Sequence, residues 1–96
     1  MFVVLLRFSD NKSQVADFIE GHNAWLKSGF EDGVFLLAGS LQPNQGGAIV
    51  AHNTSLADLQ SRVGNDPFVV EKVVTAEVFE ISASKADSRL EFLINS

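Results

Sequence analysis

The chain contains no cysteine, which excludes disulfide staples and thiolate metal centres and fits a reducing, cytoplasmic setting. Its two histidines, His22 and His52, form no His-x-x-x-His pair, so no metal is expected. Basic residues are few: seven Lys+Arg stand against twelve Asp+Glu, for a formal net charge of −5. Without a basic cluster to neutralise phosphates, nucleic acid is not an expected partner. No apolar run approaches the roughly 18 residues that cross a bilayer, so no membrane partner is expected. The opening Met1-Phe2-Val3-Val4-Leu5-Leu6 lacks the basic start and small-residue cleavage site of a signal peptide and reads as a strand. No nucleophilic triad is visible. Gly46-Gly47 stands outside the strand-to-helix context of a phosphate cradle. No cofactor is expected.

What the chain has in abundance is apolar surface. Of its 96 residues 46 % are hydrophobic, with eight Phe, and a domain this short leaves much of that surface uncovered, which favours oligomerisation. Phe2 to Phe8 predicts a strand buried on both faces. Residues 13 to 31 place Val15, Phe18, Ile19, Leu26 and Phe30 on one helical stripe, with Ser9, Asp10 or Asn11 as cap and a stop near Asp32-Gly33. Val34 to Ala38 predicts a second strand, Gly39 to Gly47 an exposed loop, and Ala48 to Ala51 a third strand antiparallel to the second. Leu56, Leu59 and Val63 predict a short helix capped by Thr54 or Ser55 and stopped at Gly64. Val69 to Ile81 predicts a long last strand, apolar on both faces.

This order is the split βαβ arrangement of an α+β, ferredoxin-like domain, βαββαβ, with a four-stranded antiparallel sheet. Two helices cover one face of such a sheet. The other apolar face needs a partner, and an identical sheet is the simplest, so a homodimer packed sheet against sheet is expected. The domain takes residues 1–82. Residues 83–96 form a more polar tail in which Leu90, Phe92, Leu93 and Ile94 make a short helix or an added strand.

His22 falls on the apolar stripe of the first helix, three and four residues from its neighbours. Three readings fit a titratable ring aimed inward: a buried histidine satisfied by a backbone carbonyl, a general acid/base in a pocket, or a metal ligand. Acid/base work needs a neighbour that fixes the tautomer, and Asp66 is the candidate, since a carboxylate beside the ring favours its charged form. Asp66 before Pro67 is equally the N-cap and first position of a helical turn, and the two roles are compatible. Ser40, at the end of the second strand, either faces a ligand or stabilises a turn. Arg7 either holds a carboxylate substrate or pairs with a surface acid. Trp25 either lines a pocket beside His22 or packs in the core or a dimer contact.

Four pieces in order, His22-x-x-x-Leu26-x-x-Gly29, Gly33-x-Phe35-Leu36-Leu37-Ala38-Gly39, Pro43-x-x-Gly46-Gly47-x-Ile49-x-Ala51 and Asp66-Pro67-Phe68-Val69, resemble the YciI-related (YCII domain) family over about residues 2 to 82. The resemblance implies a dimeric α/β barrel, a cleft between helices and sheet, and a histidine–aspartate pair at His22 and Asp66. It adds Phe68 to Ser40, Arg7 and Trp25 as candidate substrate contacts. It further implies cofactor-free elimination, isomerisation or hydrolysis on small organic acids or ring-cleavage products. Two positions depart from the family pattern: Ser40 follows Gly39 where the family usually has Pro, and Ile19 stands where some members carry an arginine. The alternative is a module that binds a metabolite or assembles, with a structural His22–Asp66 contact.

Overall fold

Alternation along the strands decides which side chains meet the helices in the computed structural model, which describes residues 1–94. In β1 (Phe2–Phe8), Phe2, Val4 and Leu6 are buried while Val3 and Leu5 are half-buried and Arg7 is exposed. β1 lies inside an antiparallel sheet of order β2-β3-β1-β4, with β2 Phe35–Leu41, β3 Gly46–Ala51 and β4 Val74–Glu80. Val4 pairs with Ile49 on one side and Val78 on the other, so all three point the same way. Onto that face pack α1 (Val15–Glu31), α2 (Leu56–Gly64) and the single turn α3 (Pro67–Val70). The core joins Phe2, Val4, Leu6, Phe35, Ile49 and Ala51 of the sheet to Leu59, Val63 and Phe68 of the helices. This is the α+β, ferredoxin-like arrangement.

The opposite face is uncovered in the single chain, so β1 is fully buried by its own chain on the helix side alone. Val3, Leu5 and Val50 are half-buried there, and Leu37 and Phe79 are 56 % and 47 % exposed. No helix among the described residues is long and apolar enough to cross a membrane.

Other differences have local causes. β2 and β3 run into the predicted loop, because Gly39, Ser40 and Leu41 pair with Ala48, Gly47 and Gly46, and a backbone ladder needs no side-chain pattern. Gly46 is required there: its φ is +133°, and a Cβ would run into the Leu6 carbonyl. β4 starts at Val74 rather than Val69, since Asp66 and Pro67 launch α3 and wind Val69 and Val70 into it. None of Ser9, Asp10 or Asn11 caps α1. A 3-10 turn over Lys12–Gln14 precedes the helix, Gln14 is its N-cap without a side-chain bond, and Asn11 Nδ2 donates to the Glu71 carbonyl. Phe30 is 43 % exposed, and the inward position belongs to Gly29, which is buried against the Phe35 ring. In the tail a 3-10 turn spans Ser88–Leu93, with Leu93 buried and Phe92 edge-on to His52. Asn95 and Ser96 of the predicted tail lie outside the described residues.

Candidate functional site

Asp66 is fully buried where α2 gives way to α3. Its Oδ1 accepts from the Phe68 backbone N–H at 3.0 Å, capping α3, and from His22 Nδ1 at 2.8 Å. One oxygen thus starts a helix and fixes a ring on another helix. A carboxylate oxygen accepts, so Nδ1 is assigned as the donor of this pair. Nε2 has no hydrogen-bond partner among the described residues. Phe68 stacks flat on the imidazole, with centroids 4.1 Å apart and planes 9° from parallel. The histidine side chain is only 12 % exposed. Asp66 Oδ2 is buried without a donor, so His22 is the carboxylate's one titratable partner among the described residues. The partner of the ring is therefore a carboxylate, not the backbone carbonyl weighed above. The described residues contain no group of three His, Cys, Asp or Glu that could hold a metal.

His22 borders a cleft of about 340 Å³ between α1 and the sheet. Its α1 wall is Val15, Ile19, His22, Asn23 and Leu26, a stripe at helical spacing. The sheet wall sets Leu6, Phe8, Ile49 and Val74 among small residues, Ala38, Gly39, Gly46, Gly47 and Ala48, and the small residues leave room for a cavity. The polar side chains of the lining are His22, Asn23 and Ser40, and no Lys, Arg, Asp or Glu lines it. A ring with a free nitrogen, walled by apolar surface, can take or give a proton to a molecule that fills the cleft.

The sequence candidates divide accordingly. His22 and Asp66 are in contact, and Ser40 and Phe68 line the cleft with His22. Trp25 lies beside His22 at 5.8 Å between centroids, but it packs against the core and its Nε1 donates to the Arg62 carbonyl. It does not border the cleft. Arg7 is on the open face of the sheet, its Nε 2.6 Å from Glu77 Oε1. Alternation turns it away from Leu6 and Phe8, which face the cleft, so the surface-pair reading of Arg7 is the one found. Asn23 was missed, although the spacing of Ile19, Asn23 and Leu26 puts it on the same stripe edge as His22.

A family model described as the YCII-related domain matches residues 1–82. Among solved structures, 5-chloro-2-hydroxyhydroquinone dehydrochlorinase (TftG) from Burkholderia phenoliruptrix AC1100, in complex with 2,5-dihydroxybenzoquinone, is similar at a TM-score of 0.68. The match covers 88 % of this chain and 96 % of that one at 17 % identity, so the likeness is one of fold. The curated proteins contain no match.

Proposed function

The chain belongs to the YCII-related domain family, and from that premise we propose that it is a small cofactor-independent enzyme acting on a small organic acid or ring-derived compound. His22 moves the proton, and Asp66 orients the ring and stabilises its cation. The observation that carries this reading is the 2.8 Å contact between His22 Nδ1 and a fully buried carboxylate, on a ring that borders an apolar cleft. Elimination, isomerisation and hydrolysis all need a base that withdraws a proton while a neighbouring bond breaks or shifts. A positioned base contributes about 10² to 10⁴ in rate, enough for an activated ring compound. The similar fold of a dehydrochlorinase supports elimination as the first reaction to try.

A structural reading of the same pair is favoured by one observation: Asp66 Oδ1 also caps α3, so the contact ties α1 to α3. A thermal-shift screen of small organic acids, lactones and chlorinated or hydroxylated ring compounds, on wild type and His22→Ala, separates the two. The enzyme reading expects a compound that raises the wild-type melting temperature and is consumed by wild type alone. If none is consumed and His22→Ala melts well below wild type, the pair is structural and the cleft is at most a binding site.

We also propose that two chains associate through the open faces of their sheets. The exposed Leu37, Phe79 and Ile81 beside Val3, Leu5 and Val50 support this, as that apolar surface lies outside the core of one chain.

A further inference from the structure

In a chain of net charge −5, a cleft whose lining holds no lysine or arginine leaves the charge of a substrate to be met at its rim. Most cations are committed elsewhere. Arg7, Lys27, Arg62 and Arg89 pair with Glu77, Glu31, Asp32 and Asp87. Lys12, Lys72 and Lys85 have no carboxylate partner among the described residues, and of these three Lys12 is the one seen against a wall of the cleft. Its Nζ lies 4.8 Å from the centroid of the Phe8 ring, and Phe8 is a wall of the cleft, as is Val15 three residues further on. The turn that carries it is pinned by backbone bonds, Ser9 N–H to the Val73 carbonyl at 2.9 Å and Asn11 N–H to the Lys72 carbonyl at 3.1 Å. The pinned turn holds the Lys12 backbone close to the cleft, and its exposed side chain packs its ammonium on the Phe8 ring.

Resting on the reading of the cleft as a ligand site, we infer that Lys12 is the residue that anchors the anionic group of the substrate. The substrate class is then a small ring-bearing acid. Its carboxylate stays at the mouth on Lys12, its body lies in the apolar cleft, and its hydroxyl or carbonyl groups meet Asn23, Ser40 and His22. Asn23 and Ser40 have no hydrogen-bond partner among the described side chains, so their groups are free for this. Lys12 is exposed, so its attraction for an anion is of the size of one surface ion pair, with its ammonium placed over an aromatic ring.

The test uses two probes alike but for charge, 2,5-dihydroxybenzoate and 2,5-dihydroxybenzamide, titrated by ¹H–¹⁵N NMR into wild type, Lys12→Met and Lys12→Arg. Wild type is expected to bind the benzoate about fivefold tighter than the amide, the scale of one partly exposed ion pair. Lys12→Met levels the two, Lys12→Arg keeps the preference, and added salt erodes it. A Lys12–Phe8 contact that served only the fold would change stability without touching this selectivity. Equal binding of both probes by wild type, or a preference that survives in Lys12→Met, removes Lys12 from the role and leaves the cleft reading standing. Binding of neither probe at the cleft residues overturns the cleft reading and this inference together.

Discussion

With Asp66 Oδ1 accepting from both the Phe68 N–H and His22 Nδ1, removal of the acid and removal of the ring have unequal consequences. Asp66→Ala takes away a helix cap and leaves two donors unpaired in the interior, for an expected loss of about 2–4 kcal/mol. His22→Ala keeps the cap but strips a buried carboxylate of its partner, for an expected loss of about 1–3 kcal/mol. Urea unfolding of both single variants and the double variant checks the order, and a coupling of about 0.5 kcal/mol or more is expected. Asp66→Asn retains an acceptor for the cap but puts an amide NH2 where the buried Oδ2 has no partner, for an expected loss of about 1–3 kcal/mol, while turnover of any compound found by the screen falls at least tenfold. A fold-only pair would leave that turnover in place. Gly29 sets a second residue-scale limit: a Cβ there runs into the Phe35 ring, so Gly29→Ala should cost about 1–3 kcal/mol through overpacking. The same denaturation curves would show it.

At the scale of elements, caps and turns decided what apolar patterns left open. Ser55 Oγ accepts from the Asp58 N–H at 3.1 Å and begins α2, which decides between the two expected caps, Thr54 and Ser55. Ser55→Ala is expected to lower stability by about 1 kcal/mol, read as a fall in melting temperature. The cap of α1 was not legible. Three candidate side chains precede the helix, and Asn11 is drawn instead to the Glu71 carbonyl by the approach of the segment before β4. Val69 and Val70 favour a strand by their branching, yet the Asp66-Pro67 start winds them into α3, and Lys72 at a φ of +58° turns the chain back toward β4.

For the whole molecule, the open sheet face is the feature with consequences. If it is the contact between two copies, Phe79→Glu should shift sedimentation from dimer toward monomer while far-UV circular dichroism stays unchanged. A monomeric wild type would refute the sheet-to-sheet pairing. Arg7 and Glu77 lie on this face as an ion pair. In a symmetric pairing each can meet the other's counterpart, so Arg7→Glu should weaken association more than it weakens the fold.

The sequence by itself determined the βαββαβ order of the main elements, the sheet topology that follows from it, the inward placement of His22 on α1, and the cap at Asp66. These rest on periodicity and on local hydrogen bonding, which act over a few residues. Tertiary structure alone decided that Asp66 Oδ1 reaches His22, that Trp25 turns to the Arg62 carbonyl rather than the cleft, and that Arg7 faces away from it. It also decided that Gly39, Ser40, Gly46 and Gly47, expected in a loop, extend two strands and line a cavity. Such facts depend on how distant segments stack and on the parity of strand register, and neither is encoded in the neighbours of the residue concerned.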